Sequence, residues 1–219
     1  MKKLFFILIS AVLFCSEASA ENCRDSDFLP QIEIISSYGK LRYDTSKNIA
    51  QITDSAQKYG LAKNGLFASG LATVDIATDI SANTIGRAGD DRTICVYPTK
   101  VTFFIGFSNP VVYISNTLKP ETCEYKVVLR HEQTHQYINK EMLDYFLPLF
   151  REACTRIVHQ TPAIPISSIN QVDAASQQLT TQYNQKLLPL IDFFKQEMIA
   201  EQGRLDNKSN YLREKNLCL

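Results

Sequence analysis

The chain changes texture at Pro120, and that change limits what it can fold into. From about residue 31 to 118 it runs in short segments rich in β-branched and aromatic residues: IEII, LATVDIAT, ICVYP, KVTFFIGF and PVVYIS, separated by Gly, Asn, Asp or Pro. Beyond Pro120 come long stretches with apolar residues at three-and-four spacing and few Gly. Strands followed by helices, rather than alternating with them, imply an α+β fold. The expectation is a small N-terminal β-sheet region (31–118) with a crossing helix over residues 45–59, then long antiparallel helices (120–219). Residues 100–107 and 110–115 flank Ser108-Asn109 and read as a hairpin. Pro120 suits a first helical turn, where its missing N–H costs nothing, and Glu121 and Glu124 complement the helix dipole.

The first twenty residues read as a secretory signal. Lys2 and Lys3 precede an apolar run over residues 4–14, and Ala18 and Ala20 supply the small residues of a cleavage site. The mature chain is expected to start at Glu21 and to be exported, periplasmic or secreted, as one domain over 21–219. Cys15 follows the apolar run, but bulky Phe14 stands where a lipoprotein signal places a small residue. The run is too short to span a bilayer, and no later stretch is long enough, so no integral membrane segment is expected after cleavage. Lys+Arg 23 balance Asp+Glu 23, and loss of Lys2, Lys3 and Glu17 leaves 21 against 22. No basic surface for nucleic acid is implied. At 45% hydrophobic residues the chain can bury a core of its own.

Five Cys follow residue 20: Cys23, Cys95, Cys123, Cys154 and Cys218. An odd number leaves at least one outside any disulfide within the chain, and none of the spacings is that of a zinc-binding pair. The expected pairing is Cys95 with Cys123, tying a strand to the start of the first long helix.

Of only three His, two stand four apart: His131-Glu132-Gln133-Thr134-His135, an HExxH motif. The helix carrying it has an apolar stripe through Val128, Ile138, Met142, Tyr145, Leu149 and Ala153, and His131 and His135 fill the missing positions. Both imidazoles are therefore expected to face inward, within reach of one tetrahedral Zn2+. Glu132, about 100 degrees further round, is placed to act as general base on the water that the metal acidifies. The remaining His159 reads as a surface residue near the helix end.

A third ligand must come from elsewhere. Glu141 points away from His135 along a continuing helix, and Glu152 lies roughly 30 Å from His131 on the same helix. If the first long helix and the one starting near Asp173 pair antiparallel, facing residues have numbers that sum to roughly 331. His131 and His135 then face residues 196–200, bracketed by Glu197 and Glu201. Glu201 fills a gap in the second stripe, Leu179, Tyr183, Leu187, Leu190, Phe194, Met198 and Leu205, where a charge is costly unless neutralised. Glu201 is the expected third ligand, with Glu197 and Asp206 in reserve. Tyr137 and Tyr211 are candidate donors to an oxyanion, though nothing in the sequence singles them out.

The strand ICVYPTKVTFFIGF, the HExxH helix continuing without a Gly, and a final helix ending near Leu205-Asp206 resemble a bacterial family of secreted zinc-dependent proteases in the zincin metallopeptidase superfamily. That family closes with Tyr-Asp-x-x-Thr-x-His-Gly; here residues 205–212 keep Asp206 and carry Tyr211 where the His stands. The resemblance implies a zincin-like metallopeptidase domain, with His131, Glu132 and His135 matching its motif and a peptide or protein as substrate. Two other classes stay open: an inactive envelope protein whose metal is structural or which binds a partner, and an amidase or other hydrolase of cell-wall material.

Overall fold

The computed structural model describes Cys23 and residues 29–60, 67–89 and 92–219. The expected signal segment, residues 1–20, and Cys15 within it lie outside the described residues. Along the chain come β1 (Gln31–Ser37), β2 (Arg42–Asp44), α1 (Ile49–Lys58), β3 (Gly70–Ala88), β4 (Ile94–Ile114), α2 (Cys123–Gln160), β5 (Ile164–Ile166), α3 (Val172–Leu205) and α4 (Lys208–Lys215). The fold is mixed α+β: one five-stranded sheet and long helices. No helix among the described residues is long and apolar enough to cross a membrane.

β4 is the axis of the sheet. β3 runs antiparallel along one of its edges, from Gly70 opposite Ile114 to Ala88 opposite Ile94. The other edge takes β5 antiparallel at Ile94–Val96, then β1 parallel from Lys100 to Gly106 and β2 parallel from Val111 to Tyr113. Gly106 permits the approach of β1, since a Cβ there would collide with the Ser37 backbone.

The hairpin expected around Ser108-Asn109 does not form; those residues lie inside β4, and the hairpin is β3 with β4. The turn-forming residues serve a bulge instead. Thr73 pairs with Val111 and Asp75 with Ser108, so Asn109 and Pro110 share the single opposite residue Val74. Asn109 adopts a positive φ of 50°, and Pro110, lacking an N–H, sits where the neighbouring edge passes from β1 to β2. A second bulge at Thr99 moves the core-facing positions from Val96 to Val101, Phe103, Ile105 and Phe107.

α1 starts four residues later than expected, because Asn48 and Gln51 form a capping box. Likewise α2 starts at Cys123 rather than at Pro120, because the Thr122 hydroxyl accepts from the Tyr125 N–H. It continues unbroken through Pro148 to Gln160. Its buried stripe runs through His131, His135, Asn139, Leu143, Phe146 and Phe150. Tyr145 and Leu149, expected on that stripe, are exposed. The stripe follows the i+4 step from His135 to the polar Asn139, whereas apolarity alone selects Ile138.

One core joins the inner face of the sheet to α2 and α3. Phe194 of α3 meets Phe146, Phe150 and Phe107 at ring-centroid distances of 5.2, 5.7 and 6.2 Å. Truncating a ring buried this deeply costs about 3–5 kcal/mol.

The expected Cys95–Cys123 bond is not present. Cys95, on β4, pairs with Cys23, and Cys123, at the start of α2, pairs with Cys218. One bond ties Cys23 to the start of β4 and the other ties the segment after residue 215 to the start of α2, which spacing along the sequence does not disclose. Cys154 is free and fully buried in the core, and burial pushes its thiol up to about 12. A chain starting at Glu21 should therefore show no thiol reactive toward an aromatic disulfide reagent when native. One thiol per chain should appear in denaturant without reductant; two or more would contradict this pairing.

Candidate metal centre

His131 and His135 lie one turn apart on the inner face of α2, buried to 6% and 9% exposure. Their Nε2 atoms are 3.1 Å apart, and each lies close to the same oxygen of Asp206, 3.1 Å from His131 and 3.2 Å from His135. Two nitrogens and one carboxylate oxygen thus form a nearly equilateral triangle. Tetrahedral zinc, with bonds of about 2.0–2.1 Å, needs ligand atoms about 3.3 Å apart, so these donors fit an ion of that kind.

The outer nitrogens of both rings are already engaged. His131 Nδ1 is 2.9 Å from Glu214 Oε2, and His135 Nδ1 is hydrogen-bonded to Gln202 Oε1. With Nδ1–H donated outward, each neutral ring presents its Nε2 lone pair to the shared point, the tautomer a metal requires. Gln202 also donates to the His135 carbonyl (3.1 Å) and to Asn139 Oδ1 (2.6 Å). Asn139 in turn donates to Gln136 Oε1, and Gln136 donates to the carbonyls of Thr73 and Val111, the pair beside the β4 bulge.

Glu132 is buried to 6% exposure against the first residue of β3. A Cβ on Gly70 would stand 2.6 Å from Glu132 Oε1 and 2.6 Å from Val128 Cγ1, so the strand approaches α2 as closely as only glycine allows. Burial pushes the Glu132 carboxyl up to about 7, against the opposing pull of His135, His131 and the Ala72 N–H. A carboxyl that titrates near neutrality can both take and return a proton at physiological pH.

Glu201, the expected third ligand, stands outside this group; it is ion-paired with Arg204 on the same helix. The reserve residue Asp206, the C-cap of α3, takes that place. Equal-length packing fails here because residues 161–171 are not a simple loop. β5 pairs with the start of β4, and α3 begins beyond the end of α2, where Ser176 hydrogen-bonds the Ala82 carbonyl. Lys186 reaches Thr161. Residues about six positions later in α3 therefore meet the histidines, and Gln202 and Asp206, four and eight positions on from Met198, face inward. Glu197 is half-buried and Glu141 exposed; Glu152 is exposed and pairs loosely with Arg156 (3.9 Å). His159 is exposed near the end of α2.

Sequence reasoning missed Gln136, Asn139, Gln202 and Glu214. The first three carry a readable signal, polar amides at helical spacing on inward faces. Glu214 carries none. Tyr211 gains a role: its hydroxyl donates to the same Asp206 oxygen (2.6 Å) and its ring stacks on His131 at 5.3 Å.

Without metal, protons take the ion's place. Burial disfavours charge on His131 and His135, but the Asp206 hydrogen bond and the nearby carboxylates outweigh it, and both imidazoles titrate above their ordinary range. Burial works against the Asp206 charge, yet hydrogen bonds from both histidines and Tyr211 hold its carboxyl far below the usual range. Raised imidazole pKa values give stability that is complete below about 6.5 and lost as pH rises through the folded values. Raised Glu132 acts in the same direction, costing stability between about 4.5 and about 7. In chelator, urea unfolding should therefore give a higher free energy at pH 5 than at pH 8, by on the order of 2–3 kcal/mol. Saturating zinc should shrink or reverse that difference, because metal binding favours the deprotonated rings. Equal stability at the two pH values in chelator would contradict the charge assignment.

Comparison with protein-family models, with curated proteins and with solved structures finds no match to this chain.

Proposed function

We propose that the protein is an exported zinc-dependent metallopeptidase, with His131, His135 and Asp206 as metal ligands and Glu132 as general base. The observation that carries this reading is the convergence of two Nε2 atoms and one Asp206 oxygen, 3.1–3.2 Å from one another, behind outward-donating Nδ1 groups. Three protein ligands leave a fourth position for water or substrate, as catalytic zinc sites do. The resemblance to secreted zinc-dependent proteases adds to it, since Asp206 is the residue this chain keeps from their closing motif. Contacts that pair early residues of α2 with late residues of α3 support the antiparallel helix pair. The two disulfides support export.

A zinc ion held by His131, His135 and Asp206 would supply a water acidified toward neutrality and a positive charge to polarise a carbonyl. Glu132, buried against Gly70 and next to His131 on α2, would accept the water proton and deliver it to the departing amine. Glu214 and Gln202 hold the two imidazoles in the ligating tautomer.

Tyr211 favours a second reading. Its hydroxyl lies 2.6 Å from the shared Asp206 oxygen, and a phenol that turned to the ion as fourth ligand would make the centre closed and structural.

Protein purified without chelators should carry about one zinc per chain. His131→Ala and Asp206→Ala should abolish its retention, while Glu201→Ala keeps it. Glu132→Gln should retain the zinc and lower cleavage of a quenched fluorescent peptide library by roughly 100-fold or more. Retention of zinc in His131→Ala would end the site assignment. Stoichiometric zinc with no hydrolysis in the wild type would favour the closed centre.

A further inference from the structure

Three groups of the proposed metal centre lie on or beside the C-terminal helix α4. Glu214 reaches His131 Nδ1, and Tyr211 stacks on the His131 ring while its hydroxyl holds Asp206. The hydrogen bonds of Asn210 stay local, to Asn207, Leu205 and Arg213. Past α4 a short 3-10 turn over Asn216–Cys218 ends in the Cys123–Cys218 disulfide, with Cys123 Sγ also near the Leu217 carbonyl. Cys123 is eight residues before His131 on α2, and Cys218 is four after Glu214. The covalent bond therefore pins α4 beside the turns of α2 that bear the histidines.

The geometry points to α4 as a clasp on the metal centre: Glu214 is a positioning residue for His131, and the Cys123–Cys218 disulfide keeps it there, so metal retention depends on that bond. This rests on the metal reading proposed above. The side chain of Glu214 is only 12% exposed, so its carboxylate is committed to the imidazole rather than to water. It fixes Nδ1 as the protonated nitrogen and leaves Nε2 for the ion, a partnership whose loss typically lowers metal affinity 10–100-fold. Held by the disulfide, the carboxylate meets the ring as an intramolecular partner; cut loose, an eight-residue helix must both stay folded and redock. The Cys23–Cys95 bond lies away from the centre, against Ala163, and has no such role.

The test is zinc affinity by competition with a chromophoric chelator, on the oxidised chain starting at Glu21, with circular dichroism confirming the fold of each variant. C123S/C218S and Glu214→Ala should each weaken zinc binding about 10–100-fold. Glu214→Gln, whose amide oxygen still accepts from Nδ1, should recover most of the loss. C23S/C95S should bind zinc as the wild type does. Wild-type affinity in both C123S/C218S and Glu214→Ala overturns the inference while leaving the metal site intact. An equal loss in C23S/C95S overturns it too, since the effect would then be general loosening. Should C123S/C218S fail to fold, Glu214→Ala against Glu214→Gln decides the matter. Absence of zinc binding by the wild type removes the metal reading itself, and the inference with it.

Discussion

A single carboxylate oxygen, Asp206 Oδ1, gathers two imidazoles of α2 and the phenol of Tyr211 at the point where α3 ends and α4 begins. Concentrating polar atoms in a mostly buried site is costly unless every one is partnered, because desolvation removes water that each would otherwise bind. Here the partners come from three helices. The arrangement exists only if those helices keep their relative axial positions, so the remaining architecture can be read as the means of holding them.

Sheet and site communicate through amides. The bulge at Asn109-Pro110 lies beside the Thr73–Val111 pair, and Gln136 donates to both of those carbonyls; Asn139 and Gln202 continue the chain to His135. Each amide uses both its oxygen and its nitrogen, so the orientation of one sets the next. An irregularity in β4 is thereby translated into the orientation of an imidazole. On the opposite side, close contact of Gly70 with α2 shuts water away from Glu132, and that exclusion lifts its proton affinity.

Much of this was legible in the residues themselves. The β-then-α order, the helix bearing His131 and His135, and the inward direction of both rings follow from local periodicity, because helical geometry fixes neighbours one turn apart. The place of Asp206 beside them did not follow. Choosing among Glu197, Glu201 and Asp206 needs the axial offset of α3 against α2, set by the pairing of β5 with a distant strand. Periodicity also misplaced the α2 stripe at Ile138 because Asn139, a polar residue, holds the buried position. Glu214 was invisible because its position depends on a disulfide partner about a hundred residues away in sequence.

The three residues of β5 thus act as a vernier. By pairing with Ile94–Val96 they fix how far α3 overhangs the end of α2, and so which carboxylate, some forty residues downstream, arrives beside the histidines. A one-residue insertion or deletion between β5 and α3 would rotate the inward face of α3 by about 100 degrees. Length in residues 161–171 is therefore under tighter constraint than the composition of that surface segment suggests, and relatives of this chain would tolerate substitution there far better than insertion.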